Sequence, residues 1–280
     1  MIADGGENRL LLFASIVQLY TAIRTCSVGR VRKLENQERI ERLYFELASE
    51  SRLSILREIS KQDYKMREIS RKLELTTTET FRQLQRLSDA LLVQKKPEGT
   101  YSITEYGLLV LHFSAFFELF QNHRQYFSTH NVRRLPYQLL NRIGELSQAE
   151  FSPDVMGNMN AAERITREAE KYMWGGGGEQ PLNIGRALQE GISKGVKYRF
   201  IFPKRFIPKS PTIPGLGQAA EIRIMEDLPF NVVMSEKEAG ISFQFADGRV
   251  DYVSFVGKDP VFLGWVKDLF LCYWDKGIRL

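Results

Sequence analysis

Cysteine is nearly absent from this 280-residue chain, with Cys26 and Cys272 standing at opposite ends. Without a CxC or CxxC pair there is no thiolate cluster to hold zinc or sense a metal, and no disulfide framework to replace a core. Each thiol reads as a small side chain in a reducing compartment. Histidine is scarce too: His112, His123 and His130 are separated by 11 and 7 residues, which builds no local metal pair, so all three read as structural. No apolar run reaches the roughly 20 residues that a membrane helix needs. The strongest one near the start, LLLFASIVQLYTAI at residues 10 to 23, contains Gln18, Tyr20 and Thr21. Asp4 and Glu7 precede it where an export signal would be positive, and no small-x-small cleavage site follows. Residues 1 to 34 therefore read as an N-terminal extension, and the protein as cytoplasmic with no membrane partner.

A large excess of one charge is missing as well. The formal net charge is +5, and residues 1 to 34 carry five Lys/Arg against Asp4 and Glu7, which leaves +2 for the rest. Net charge alone is thus weak support for nucleic acid, and local placement has to carry that reading. Residues 61 to 101 hold nine Lys/Arg against six Asp/Glu. The chain is 43% hydrophobic and 26% charged, and it is long enough for two domains with cores of their own.

The organising stretch is KMREISRKLELTTTETFRQLQRLSDALLVQKKPEGTY, residues 65 to 101. Met66, Ile69 and Leu73 repeat with the period of a short helix. Thr76 and Thr77 are N-cap residues, and Thr80, Leu84, Leu87 and Leu91 form a second helical stripe. Two amphipathic helices meeting across one turn predict a helix-turn-helix. The second helix leaves Thr77, Thr78, Arg82, Gln85 and Arg86 off the stripe, a set of hydroxyl, amide and guanidinium donors suited to a major groove. Pro97, Glu98 and Gly99 then turn a β-hairpin with Lys95 and Lys96 at its base and Tyr101 on its return strand, a clamp for phosphates beside a helix that reads bases. The same bundle also suits a protein-docking module, and that alternative stays open.

LELTTTETFRQLQRLSDALLV resembles the winged-helix domain of ArsR-like archaeal regulators, in which a Leu-x-Leu-Ser/Thr motif runs into the recognition helix and ends in Leu-Val before the wing. Many relatives have His-Leu where this chain has Gln83-Leu84, and Gly where it has Leu91. Neither departure removes the residues that face DNA.

Upstream, Ile40, Leu43, Tyr44 and Leu47 form one stripe and Leu53, Leu56 and Ile59 another, divided by Ser49-Glu50-Ser51. These predict the first two helices of a DNA-binding domain over residues 35 to 103. Downstream, Thr104 is a candidate cap for a helix running from Tyr106 to Tyr126, apolar on more than one face from Leu108 to Phe120. A helix of that kind must be buried on several sides, so residues 104 to 130 read as a linker that pairs with its copy in a homodimer.

Residues 131 to 280 alternate helix and strand signals, which predicts an α/β domain with a mixed sheet. Helices are expected at LPYQLLNRIGEL, at NAAERITREAEKY with Asn160 and Glu163 as a capping box, at PLNIGRALQEGISKG and at DPVFLGWVKDLFLCYWDKG. Strands are expected at VKYRFIF, EIRIM, FNVVMS, GISFQF and DYVSFV, with an Asp247-Gly248 turn between the last two. Gly175 to Gly178 reads as a flexible loop, since no GKS or GKT ends it, and KSPTIPGLG as another. Tyr198 and Phe200 share one side of their strand while Arg199 faces the other, and Trp174, Arg205 and Arg223 add to a mixture of aromatic and cationic groups.

NHRQYFSTHNVRRLPYQLLNRIGEL, SKGVKYRFIF, EIRIMEDLPFNVVMSEKEAG and FVGKDPVFLGWVKDLFLCYW are together similar to the methanogenesis regulatory protein family of archaeal transcription factors, over roughly residues 37 to 277. The resemblance implies a winged-helix reader joined to an effector domain that looks like a degenerate phospholipase D half. Phospholipase D chemistry uses His-x-Lys, and none of the three histidines is followed by that pattern. No catalytic residue, cofactor or metal is expected, and the three histidines are expected outside the sheet. The sequence thus predicts a non-enzymatic, sequence-specific regulator of double-stranded DNA, whose C-terminal domain takes a small-molecule effector or a protein partner. A scaffolding protein, or an enzyme with an unrecognised C-terminal site, is the alternative.

Overall fold

The computed structural model describes residues 40–178, 184–206 and 219–280. The expectations for residues 1 to 34, for Cys26 and for the KSPTIPGLG loop lie outside these residues. The chain divides into two compact units, residues 1–109 and 110–280.

In the first unit, α1 (Ile40–Leu47), α2 (Glu50–Ile59), α3 (Met66–Lys72) and α4 (Thr77–Asp89) are accompanied by a small sheet of β1 (Tyr64–Lys65), β2 (Val93–Lys95) and β3 (Thr100–Ile103), in the order β1-β3-β2. Local chemistry sets the breaks. The Ser49 hydroxyl accepts from the Arg52 N–H and the Thr76 hydroxyl from the Glu79 N–H, satisfying donors that a first helical turn leaves open. Between α3 and α4 the chain reverses at Glu74, whose φ is 54°, and the Ser70 hydroxyl closes the turn by donating to the Leu75 carbonyl at 2.6 Å. Leu91 has a φ of 58° and an exposed side chain, so this chain accepts a left-handed residue at that bend. Ile55, Leu56, Ile59, Ile69, Leu84 and Leu87 form the core.

Helix α1 departs from its expected role. None of its residues is buried, and Ile40 and Tyr44 are more than half exposed. Its tie to the unit is polar instead. Arg52 is buried and donates to the Phe45 and Glu46 carbonyls and to Gln83 Oε1 at 2.7, 2.8 and 2.9 Å, stitching α1, α2 and α4 together.

Helix α5 (Glu105–Asn122) starts where the Thr104 hydroxyl accepts from the Gly107 N–H at 2.9 Å. It ends sooner than the apolar pattern predicts, because the chain breaks at His123 before α6 (Arg124–Thr129).

The second unit is mixed α/β, with one eight-stranded sheet in the order β11-β7-β6-β5-β8-β9-β10-β4. These strands are β4 (Glu150–Ser152), β5 (Tyr172–Gly176), β6 (Lys197–Pro203), β7 (Ala220–Met225), β8 (Phe230–Ser235), β9 (Ala239–Phe243), β10 (Ser254–Gly257) and β11 (Ile278–Arg279). β5, β6 and β7 run parallel, and the remaining pairs are antiparallel. One face carries Phe230, Val232, Ile241, Phe243 and Phe255 against α10 (Pro260–Trp274). The other packs Tyr198, Phe200 and Phe202 with Leu188 of α9 (Ile184–Ser193), while α8 (Val155–Glu168) contacts β8, β9 and β10. α10 begins as its sequence predicts: the Asp259 carboxylate accepts from the Val261 N–H at 2.8 Å and Pro260 opens the first turn.

Three expectations are corrected here. Gly175 and Gly176 lie in a buried central strand and not in a flexible loop, because β6 and β8 bond to both sides of β5. The glycines let neighbours close in: a Cβ on Gly177, whose φ is 122°, would fall 2.2 Å from Asn231 Oδ1. LPYQLLNRIGEL forms only α7 (Tyr137–Leu140) and a 3-10 turn over Ile143–Gln148, bent so that Leu139, Ile143 and Leu146 all enter the core beside α10. α8 starts at Val155, which puts Asn160 inside the helix and leaves Glu163 paired with Arg167.

Candidate nucleic-acid interface

The residues expected to meet DNA all lie in the first unit. Thr76 ends the turn from α3 and fixes where α4 begins, so Thr77 and Thr78 are exposed on its first turn. The helical period brings Thr78, Phe81, Arg82, Gln85 and Asp89 to the exposed side, opposite the buried Thr80, Leu84 and Leu87. Arg82 is paired with Glu79 one turn away, and Gln85 donates to Asp89 at 2.8 Å. Both are exposed contacts that a competing acceptor can exchange. Hydrogen bonds from Gln83 and Arg82 hold the Glu79 carboxyl below its ordinary range.

Arg86 is placed differently from Arg82. Its guanidinium makes a two-point contact to Glu46 at 2.7 and 3.1 Å and stacks over the Phe45 ring at 4.9 Å, which turns it toward α1 and away from the open face. Its hydrogen bond to Glu46 raises its pKa further. The hairpin divides its lysines in the same way. Lys96 is tied to Asp63 at 2.5 Å, whereas Lys95 has no carboxylate partner among the described residues and lies 5.9 Å above the Tyr101 ring. That ring is itself buried, opposite Tyr64 on β1 and Lys95 on β2.

The geometry thus gathers Thr77, Thr78, Arg82, Gln85 and Lys95 on exposed surface, and commits Arg86, Lys96 and Tyr101 to internal contacts. Phe81, 54% exposed beside Arg82, was missed by a reading that sorted residues as stripe or donor. Its place one residue after buried Thr80 was the available signal.

The second unit brings together groups that sequence spacing keeps apart. His130 is buried between the Tyr126 ring at 3.8 Å and the Phe245 ring at 4.4 Å, and its Nε2 lies 2.9 Å from Asp251 Oδ2. His123 lies tilted against Phe151 and edge-on to Phe255, and burial lowers its pKa. The expectation that all three histidines stay outside the sheet is therefore wrong: α6 folds back against β4 and β10, and His123 and His130 at its two ends go in with it. A cleft of about 70 Å³ between α8 and the sheet is lined by Asn158, Asn231, Ser242 and Tyr252. The amide groups of Asn158 and Asn231 are spent on Ser152, Tyr252 and Asp251 carbonyls, on the Ser242 hydroxyl and on the Gly178 N–H. Such a space has room for a few waters and is well short of the roughly 300 Å³ that a small-molecule site needs.

No family model and no curated protein matches the chain. Several solved structures are similar in part, among them the following three. TrmBL2, an archaeal chromatin protein whose structure shows a novel mode of DNA binding, is 14% identical, with 78% of this chain and 88% of that one covered at a TM-score of 0.40. NucT from Helicobacter pylori is 12% identical over 47% of this chain and 96% of its own, at 0.37. The phospholipase D family member Nuc from Salmonella typhimurium is 11% identical over 48% and 96%, at 0.33. Similarity at this level carries no residue role across. The expectation of a non-enzyme is not kept, since NucT and a phospholipase D family member are each similar to about half of the chain, and no activity passes from either to it. No helix among the described residues is long and apolar enough to cross a membrane.

Proposed function

We propose that the protein is a sequence-specific DNA-binding transcriptional regulator of the archaeal winged-helix type. In this reading residues 35 to 103 are the reader, with β2 and β3 as the wing. Residues 104 to 130 are a dimer contact, and residues 131 to 280 are a methanogenesis regulatory protein-type domain that answers a partner. One observation carries the reading. A capped helix presents Thr77, Thr78, Arg82 and Gln85 on a single open face, one turn after a second short helix and next to a hairpin whose Lys95 has no carboxylate partner among the described residues. A narrow polar face with few apolar groups is what a groove of base edges accepts. The effector is a small molecule or a protein partner, and the cleft beside α8 is too small to hold the former. The test is recovery of genomic fragments bound by the purified protein. A shared inverted repeat is the expected result, and binding without any common sequence would overturn specific readout.

A further inference from the structure

On the face of the second unit that also holds α10, the far strands of the sheet carry cations where an apolar cover would otherwise lie. Register puts Arg199 of β6 beside Trp174 of β5 and Glu221 of β7, and Arg279 of β11 directly opposite Arg223 of β7. The Arg199 guanidinium lies 5.3 Å from the Trp174 ring and 5.3 Å from the Trp274 ring. Arg223 lies 4.6 Å from the same Trp274 ring and donates to the Trp274 carbonyl at 2.8 Å, while Lys267 stands 5.9 Å from Trp174. Two buried indoles thus form a floor under three cations. Lys197, two residues before Arg199, falls on the same side of β6.

This clustering is unfavourable in isolation. Like charges directly opposed across strands repel, and among the described residues the one carboxylate paired with these cations, Glu221, reaches Arg199 at 3.5 Å across exposed surface. Lys197, Lys267 and Arg279 are exposed and have no ion-pair partner among the described residues. The aromatic floor offsets part of the repulsion and holds the guanidinium groups in place before any ligand arrives. The floor itself is closed, with Trp174 8% and Trp274 3% exposed, so no pocket is left to anchor a peptide side chain or to stack a base. Recognition here is by charge alone.

We propose that this surface is a second phosphate-binding site, taking the backbone of duplex DNA without regard to sequence. The proposal rests on the DNA-binding reading and extends it to the second unit. From β5 to β11 the strands span about 14 Å, a length over which a duplex carries about eight phosphate charges. A cationic surface of that width over closed indole rings matches such a charge density better than it matches an acidic protein segment, which needs anchoring side chains.

The test uses the full chain with Lys197→Glu, Lys267→Glu and Arg279→Glu combined, since these exposed groups contribute little to folding. Binding to a mixed-sequence duplex of about three helical turns is titrated between about 50 and 200 mM salt. The expected result is weaker binding at every salt, with the slope of log affinity against log salt shallower by about 2 to 3, near 0.9 for each phosphate no longer neutralised. Unchanged thermal melting of the variant confirms that it folds. Lys95→Ala is the parallel arm for the first unit. If the wild-type protein binds no duplex, the proposed function falls and this surface with it. If it binds, and the triple variant keeps the full slope, only the second site falls. Polyglutamate binding that disappears in the variant while duplex binding is untouched would assign the surface to an acidic protein and overturn the DNA assignment.

Discussion

Helices α5 and α10 have almost the same character as strings of residues, each apolar nearly all the way round, yet they end in opposite circumstances. In α10, Phe262, Trp265, Val266, Leu269, Phe270, Tyr273 and Trp274 are all buried. In α5, Leu109, Phe113 and Phe117 are 58%, 55% and 63% exposed, although Leu119 is buried. The difference lies in what each helix meets. α10 lies over the aromatic face of a wide sheet and receives Leu139, Ile143 and Leu146 on its flank, and the Trp265 indole N–H donates to the Leu139 carbonyl at 3.1 Å. α5 finds cover for one side only, through Phe116 against Gly144 and Phe120 against Phe127. An apolar helix therefore states a need for burial without stating where it is met.

The largest effect expected from this contrast is in α10. Trp265→Ala should cost about 3 to 5 kcal/mol by chemical denaturation, as removal of a fully buried aromatic side chain does. Phe113→Ala on α5, measured at protein concentrations low enough to hold the monomer, should stay within about 0.5 kcal/mol. Equal costs there would mean that Phe113 is covered within the single chain and would end the comparison.

Phe113→Asp combined with Phe117→Asp sharpens it. Sedimentation should show a dimer of the wild-type protein falling to monomers with the fold intact, because an exposed apolar stripe of this size is the surface a second copy would cover. A double variant that stays dimeric puts the interface elsewhere. Phe116 and Phe120, the positions an apolar pattern alone suggests for this experiment, are half-buried within the second unit. Charges there would test folding instead.

The same division between tied and open groups separates the two arginines of α4. Arg82→Ala should weaken binding to the specific site by about 1 to 3 kcal/mol if Arg82 reads a base, with the melting temperature unchanged. Arg86→Ala should instead lower stability, since Glu46 loses its two-point partner. The reverse outcome, with Arg86 governing affinity and Arg82 silent, would mean that the Glu46 pair opens on binding.

The smallest effect concerns the end of α10, where the Tyr273 hydroxyl donates to the Arg134 carbonyl. Burial pushes the Tyr273 phenol up to about 12. Because the folded state favours the neutral phenol, its stabilisation is complete below the ordinary phenol value of about 10 and is lost as pH rises through about 12. Tyr273→Phe should cost about 1 kcal/mol at neutral pH and should blunt the alkaline loss. An alkaline melting curve identical to that of the wild type would assign the loss to other tyrosines.

Several local features of this chain were legible in its sequence. Thr76, Thr104 and Asp259 cap the helices that they precede, Gly99 and Gly248 take positive φ in turns, and the alternation along VKYRFIF puts Tyr198 and Phe200 on one face with Arg199 on the other. Each depends on hydrogen bonds or periodicity within a few residues, so the pattern and its cause lie in the same short stretch. The tertiary structure alone decided the rest. It placed β5, with its glycines, at the centre of a sheet. It gave Arg86 to Glu46 and Lys96 to Asp63, leaving Arg82 and Lys95 open. It set His130 against Asp251 across 121 positions and ran the cations of β6, β7 and β11 into one surface. Those outcomes depend on which distant strands pair and which apolar faces find cover, and no stretch of the chain carries that information by itself.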